Sequence, residues 1–173
     1  MRKHNGMRPQ DVPILLKIIA MREKLWQGKD LAAELYISPS EISESLHRSL
    51  MAGLVNVEKR RVHRQSLLEF IEYGLRYVFP AIPGSIVNGL PTAHSHPFIK
   101  QFIDTSSIYV WPDPHGDKRG QSIEPLFKNA TKASYVDEDF YKMLALIDVF
   151  RVGKTREIKI ARDELKKIFA YES

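Results

Sequence analysis

A serine followed by a proline at positions 38 and 39 fixes the start of a helix more tightly than any other pair in the chain. The Ser38 hydroxyl can accept from an orphan amide of the first turn, and Pro39 at the first helical position forfeits no needed donor. Before this point Leu31, Ala32 and Leu35 make one apolar face of a short helix, and Ile37 belongs to a turn packed beneath it. After it Ile42, Ser45, Leu46, Ser49 and Leu50 recur at helical spacing as an inward stripe. Ser40, Glu41, Ser43, Glu44, His47 and Arg48 then point outward, giving the second helix a polar face. Residues 29–55 therefore read as two short helices joined by a tight turn.

An apolar stripe of Ile14, Leu15, Ile18, Ile19, Leu25 and Trp26 predicts a supporting helix ahead of them, begun near Pro13 and closed at Gly28. Gly53 suits a helix C-terminus, and Leu54-Val55-Asn56-Val57-Glu58 then alternates as a half-buried strand does. The run Lys59-Arg60-Arg61-Val62 leads at once into His63-Arg64-Gln65-Ser66 and a new helical pattern. A returning strand has little room, so any hairpin here is short or degenerate.

The short helix, the Ile-Ser-Pro-Ser turn and cap, the Ile-x-x-x-Leu-x-x-x-Leu helix and the closing Gly-Leu-Val resemble the winged helix-turn-helix bacterial transcriptional regulators. The likeness is to the multiple-antibiotic-resistance and arsenic-repressor types and covers about residues 10–65. It implies duplex DNA as partner, with one helix laid in the major groove. Carried over by position, Ser38, Ser40, Glu41, Ser43 and Glu44 fall at the reading end of that helix and Arg48 toward phosphate. Two carboxylates there repel phosphates, and among bases only the cytosine amino group welcomes them. Affinity has to come from Lys59, Arg60, Arg61 and Arg64, which follow the first hairpin strand where flanking backbone or minor groove is met.

From Arg64 to Phe79 apolar residues occupy two faces, Leu67, Ile71, Leu75 and Val78 on one and Phe70, Tyr73 and Tyr77 on the other. Such a helix needs two partners: burial between two parts of the chain, or a homodimer interface suited to paired half-sites. Pro80, Pro83-Gly84, Asn88-Gly89 and Pro91 then predict a linker or ordered loop without regular structure. Phe98 to Ile103 reads as a short helix or strand. Ser107 to Trp111 and Gln121 to Leu126 are extended pieces able to pair as a hairpin, with Asp117 to Gly120 near its tip. Asp137, Glu138 and Asp139 open a helix that Gly153 can stop. Thr155 can cap a last helix with Ile158, Ala161, Leu165, Ile168 and Phe169 inward and Arg156, Lys159, Arg162, Lys166 and Lys167 outward.

The 173 residues include no cysteine, which excludes disulfides, thiolate metal sites and cysteine nucleophiles and fits a cytoplasmic home. No apolar run reaches the roughly 18 residues of a membrane span, and the polar start at Met1 lacks an apolar stretch for secretion. A formal net charge of +5 leans toward a polyanionic partner. His94, His96, His115, Asp113 and Asp117 have no metal-ligand spacing and read as ordinary loop residues. Gly153-Lys154-Thr155 lacks the upstream glycine of a phosphate loop, since Asp148 stands there. No enzyme motif forms, and neither cofactor nor metal is expected.

The expected fold is α+β and mainly helical: a winged helix-turn-helix over 1–65, a connecting or dimerisation helix over 66–79, and a smaller α+β region over 80–173 ending in a helical hairpin. The expected function is a DNA-binding regulator, a repressor acting as a homodimer, with a small-molecule effector or protein partner at the C-terminal region. The competing expectation is an antitoxin-like or scaffolding module whose winged helix binds a protein.

Overall fold

The computed structural model describes residues 5–170; the first four residues of the polar arm and the last three of the chain lie outside it. The protein is α+β, with eight α-helices, two 3₁₀ turns and three strands among the described residues. Helices α1 (Asp11–Ala20), α2 (Gly28–Leu35) and α3 (Pro39–Met51) come first. Helices α4 (Arg64–Tyr73) and α5 (Leu75–Val78) lead to strands β1 (Ile86–Pro91), β2 (Tyr109–Pro112) and β3 (Lys118–Ser122). Helices α6 (Ala130–Ser134), α7 (Glu138–Val152) and α8 (Thr155–Phe169) complete the chain. None of these helices is long and apolar enough to cross a membrane.

Burial explains the order. Every residue of α1 from Asp11 to Ile19 is buried, because the helix packs against α2 and α3 on one side and α7 on the other. A helix apolar all round is a core helix. One continuous core accordingly runs from Val12 through Leu46, Leu67 and Trp111 to Phe169. Helix α1 is shorter than its stripe predicts: it ends at Ala20, Leu25 is 97% exposed, and Gly28 begins α2 instead of closing α1. Arg22, at a left-handed φ of 52°, turns the chain there.

The two-faced segment also divides. Its helix breaks at Gly74, leaving Leu67, Leu68, Ile71 and Leu75 in the core and Phe70 edge-on to Phe79. Tyr73, Tyr77 and Val78 stay exposed, the tyrosines at 70% and 77%. Val78 thus leaves the inward face to which its spacing assigns it.

The stretch expected to lack regular structure does so over 80–85 but then supplies β1, one of three strands that each pair with both others. β1 pairs antiparallel with β2, Leu90 opposite Trp111, and with β3, Val87 opposite Gly120. β2 and β3 run parallel, Tyr109 beside Gln121, instead of forming the expected hairpin. The residues expected at a hairpin tip, Lys118 to Gly120, are themselves strand. Two glycines permit this crowding: a Cβ on Gly116 would stand 2.4 Å from the Gly89 backbone, and one on Gly89 would stand 2.0 Å from the Trp111 carbonyl oxygen. From Asn88 to Pro91 the proline and glycine punctuation marks close backbone approach and not a loop. Phe98 to Ile103 settles as a single 3₁₀ turn over Ile99–Gln101.

A buried carboxylate joins this sheet to α7. Asp148 accepts from the Thr92 hydroxyl at 2.7 Å, the Trp111 indole at 2.7 Å and Arg151 Nη1 at 2.8 Å. Arg151 also donates to the carbonyls of Phe79 and Glu124, so its guanidinium ties three segments together. At the helix ends, Asp137 caps α7 by accepting from Phe140 N, and Gly153 ends it. The last cap lies one residue earlier than expected: Lys154 holds the N-cap position of α8 and Thr155 is its first helical residue. Arg162 is turned from the outer face of α8 to Glu72 at 2.5 Å.

Candidate nucleic-acid interface

The start of α3 is built as its residue types dictate. Ser38 takes an extended conformation (ψ 148°) and its Oγ accepts from Glu41 N at 3.2 Å, with Pro39 in the first turn. Tyr36, at a left-handed φ of 56°, makes the turn between α2 and α3, and Ile37 is buried beneath it. Two groups, one just before α6 and one on it, hold this turn from outside. Asn129 Nδ2 donates to the Tyr36 carbonyl at 3.0 Å, and Lys132 lies 4.1 Å from the centre of the Tyr36 ring.

Ile42, Ser45, Leu46 and Ser49 are buried as the spacing predicts, with Leu50 half-buried beside them. Ser38, Ser40, Glu41, Ser43, Glu44 and His47 are exposed. Arg48 is the exception, at 7% exposure. Its Nε and Nη2 donate to the two oxygens of Asp11 at 2.9 and 2.7 Å, and Ser45 Oγ donates to the same carboxylate at 2.7 Å. Arg8 N supplies a fourth hydrogen bond at 2.8 Å. The hydrogen bond to Asp11 holds the Arg48 pKa above its ordinary value, against the opposing effect of burial. The expectation that Arg48 faces outward to phosphate is thereby corrected: a buried carboxylate claims the guanidinium, and desolvating either charge alone is costly.

A second buried charge on α1 braces the same unit. Lys17 Nζ lies 2.7 Å from Glu34 on α2 and 2.5 Å from Asp137, the cap of α7. Burial works to lower its pKa, but hydrogen bonds to Asp137 and Glu34 prevail and the net shift is upward.

The basic segment after α3 forms a small hairpin. Its strands reduce to one bridge between Val55 and Val62, the degenerate form that the sequence leaves room for. Gly53 enters it at a φ of 76°, where L side chains are strained. Asn56 organises the loop: its Oδ1 accepts from the amides of both Arg60 and Arg61 at 2.9 Å, and its N donates to the Arg61 carbonyl at 3.0 Å. Lys59 takes a left-handed φ of 57° at the tip.

The four cations assigned to this segment are separated by the structure. Arg61 is exposed on the hairpin and Lys59 lines a cleft beside α3 with Arg8, Ser43, Glu44, His47 and Arg48. Arg60 leans back over the Trp26 ring, 4.8 Å from its centre, and donates to the Trp26 carbonyl at 2.7 Å. Arg64, half-buried, donates to the Phe169 carbonyl at the end of α8 at 2.9 Å. His47 lies on the outward face to which its spacing assigns it, whereas nothing in the spacing points to Arg8. Arg8 stands three positions before α1 in a strap, residues 5–10, that has no helical or strand spacing to read, and its amide bonds to the same Asp11 carboxylate that grips α3.

The loop histidines do not converge. His94 is buried with Nε2 3.4 Å from Glu157, while His96 Nδ1 accepts from Phe98 N at 3.1 Å. Asp113 accepts from the Tyr135 hydroxyl at 2.7 Å, which draws the Asp113 pKa below its ordinary value. No group of three or more His, Cys, Asp or Glu side chains able to hold a metal occurs among the described residues. No family model matches the chain, and neither a curated protein nor a solved structure does.

Proposed function

We propose that the protein is a sequence-specific duplex-DNA-binding regulator of transcription, a repressor acting as a homodimer, whose first three helices and hairpin work as a winged helix. The observation that carries this reading is the exposed polar row Ser38, Ser40, Glu41, Ser43, Glu44 and His47 on α3, flanked by the cationic hairpin. In a major groove, Ser40 and Ser43 offer hydroxyls to base edges, and Glu41 and Glu44 accept from cytosine amino groups while rejecting acceptor-only edges. Arg61 and Lys59 supply the sequence-independent attraction that two carboxylates oppose. The exposed Tyr73 and Tyr77 on α4 and α5 give the homodimer a surface, since tyrosines are strong anchors in interfaces.

Retardation of duplex fragments drawn from the DNA flanking the coding sequence tests the reading. Specific binding that weakens steeply with added salt is the expected result. Absence of binding even at low salt favours the competing reading, in which Glu41 and Glu44 meet a basic protein surface.

A further inference from the structure

We propose that the cleft between the N-terminal strap, α3 and the hairpin is a seat for one backbone phosphate of duplex DNA, held between Arg8 and Lys59 with His47 beneath. The proposal rests on the DNA-binding reading and adds to it a third element, the strap before α1, which no recognition helix or hairpin supplies.

Three features make the cleft a phosphate seat and not a gap between side chains. First, its walls are fixed. Asp11 takes one hydrogen bond from the strap, at Arg8 N, and three from α3, two from Arg48 and one from Ser45. The strap therefore cannot drift from α3 without giving up its hydrogen bond to the carboxylate that α3 itself grips. Arg48 acts here as a positioning residue: its charge is spent on Asp11, and it sets the distance between strap and helix.

Second, the lining has the right charge balance. Arg8 and Lys59 bring two cations, and Asn5, Ser43 and His47 bring further polar groups able to donate. Glu44 brings the one carboxylate, and it lies 3.9 Å from Arg48 Nη1, so its charge is partly met from within the protein. Third, the cleft adjoins the reading face. Ser43, Glu44 and His47 occupy successive positions of the exposed row on α3, so a strand whose bases meet Ser40 and Glu41 can bring a phosphate to His47. Phosphate contacts of this kind fix register and carry no sequence information themselves.

A shared seat makes a specific demand on salt dependence. Neutralising one phosphate contributes about 0.9 to the slope of log affinity against log salt. Arg8→Ala and Lys59→Ala should each weaken binding of the full chain several-fold, equally on specific and scrambled duplexes. The double variant should lose about 0.9 of slope in total, since both cations serve one phosphate. Arg156→Ala with Lys159→Ala, on the outer face of α8, should change nothing.

A loss near twice that value in the double variant overturns the shared seat, because the two cations then meet separate phosphates. An unchanged slope overturns the proposal while leaving DNA binding itself intact, as seen from the wild-type protein in the same titration. Wild-type protein that fails to bind at low salt overturns both readings together. Circular dichroism and unfolding midpoints of the variants exclude misfolding, because both substituted side chains lie at the surface, with Arg8 exposed and Lys59 half-exposed.

Discussion

Asp11 and Arg48 form a two-pronged ion pair across the α1–α3 contact, with the carboxylate fully buried and the guanidinium nearly so. Separated by 37 positions in sequence, they fasten the helix that offers the polar face to the helix at the centre of the core. Removing one partner of such a pair leaves an uncompensated buried charge, at a cost of about 3–5 kcal/mol. Arg48→Met and Asp11→Asn should each lower unfolding stability by that order in urea melts. The discriminating comparison is with Arg61→Ala, which should leave stability within about 0.5 kcal/mol. Equal stability of Arg48→Met and wild type would mean that the pair is an incidental contact.

The cap of α3 gives a smaller and more local prediction. Ser38 satisfies one orphan amide, that of Glu41, and its loss costs about 1 kcal/mol. Ser38→Ala should shift the urea midpoint down with an unchanged slope, and Ser38→Asp should restore most of it. Restoration by aspartate separates capping from any other role of the hydroxyl.

In the sheet, the Gly116 and Gly89 backbones cross too closely for a side chain. Gly116→Ala must push β1 or the 113–117 loop aside, and overpacking of this kind costs about 1–3 kcal/mol. Thermal melts should show the loss, and so should faster amide exchange at Val110 and Trp111, on the strand that faces Gly89. A neutral Gly116→Ala would mean that the loop relaxes freely.

His96 gives a pH dependence with a definite sign. Burial, with the nearby Lys142 charge adding to it, lowers its pKa to about 4. The unfolded imidazole titrates near 6.5, so between about pH 6.5 and 4 the unfolded chain binds more protons than the folded one. Stability should therefore be full above about pH 6.5 and fall as pH drops toward 4, by up to about 3 kcal/mol from this residue. Unfolding measured across that range in wild type and His96→Gln isolates the contribution from the carboxylates titrating alongside. The variant should show the shallower fall, and parallel curves would show that the ring is not held neutral.

Much of the first 55 residues was legible because its signals are local. A cap, a proline and a 3.6-residue apolar period each act within one or two turns, and Ser38, Ile42, Leu46 and Gly53 all take the places those rules assign. Arg48 was misplaced because its period is ambiguous: it lies at the border of the buried stripe, and only Asp11, distant in sequence, decides which way it turns. The sheet was illegible for a related reason. Strand pairing around β1 is set by nonlocal contacts and by glycines chosen for backbone proximity, and a glycine read along the chain looks the same in a loop.

The division of labour proposed for DNA binding separates residues by what they change. Arg61 is exposed on the hairpin, while Arg60 has its guanidinium on the Trp26 ring and carbonyl and can reach a phosphate only beside or by leaving them. Replacing both by alanine should weaken binding to every duplex by a similar factor and reduce the salt slope by about 1 per phosphate lost. Ser43→Ala and Glu44→Ala remove groups from the exposed row on α3, so they should change the order of preference among duplexes more than the mean affinity. Glu44→Ala should even strengthen nonspecific binding, because it deletes a charge that repels phosphate. Arg64→Ala should affect neither property directly, since that guanidinium is engaged with the Phe169 carbonyl at the end of α8. A panel of duplexes titrated at two salt concentrations reads all of these at once. If Arg60→Ala with Arg61→Ala alters sequence preference while Glu44→Ala leaves it unchanged, the proposed docking with α3 in the major groove is reversed.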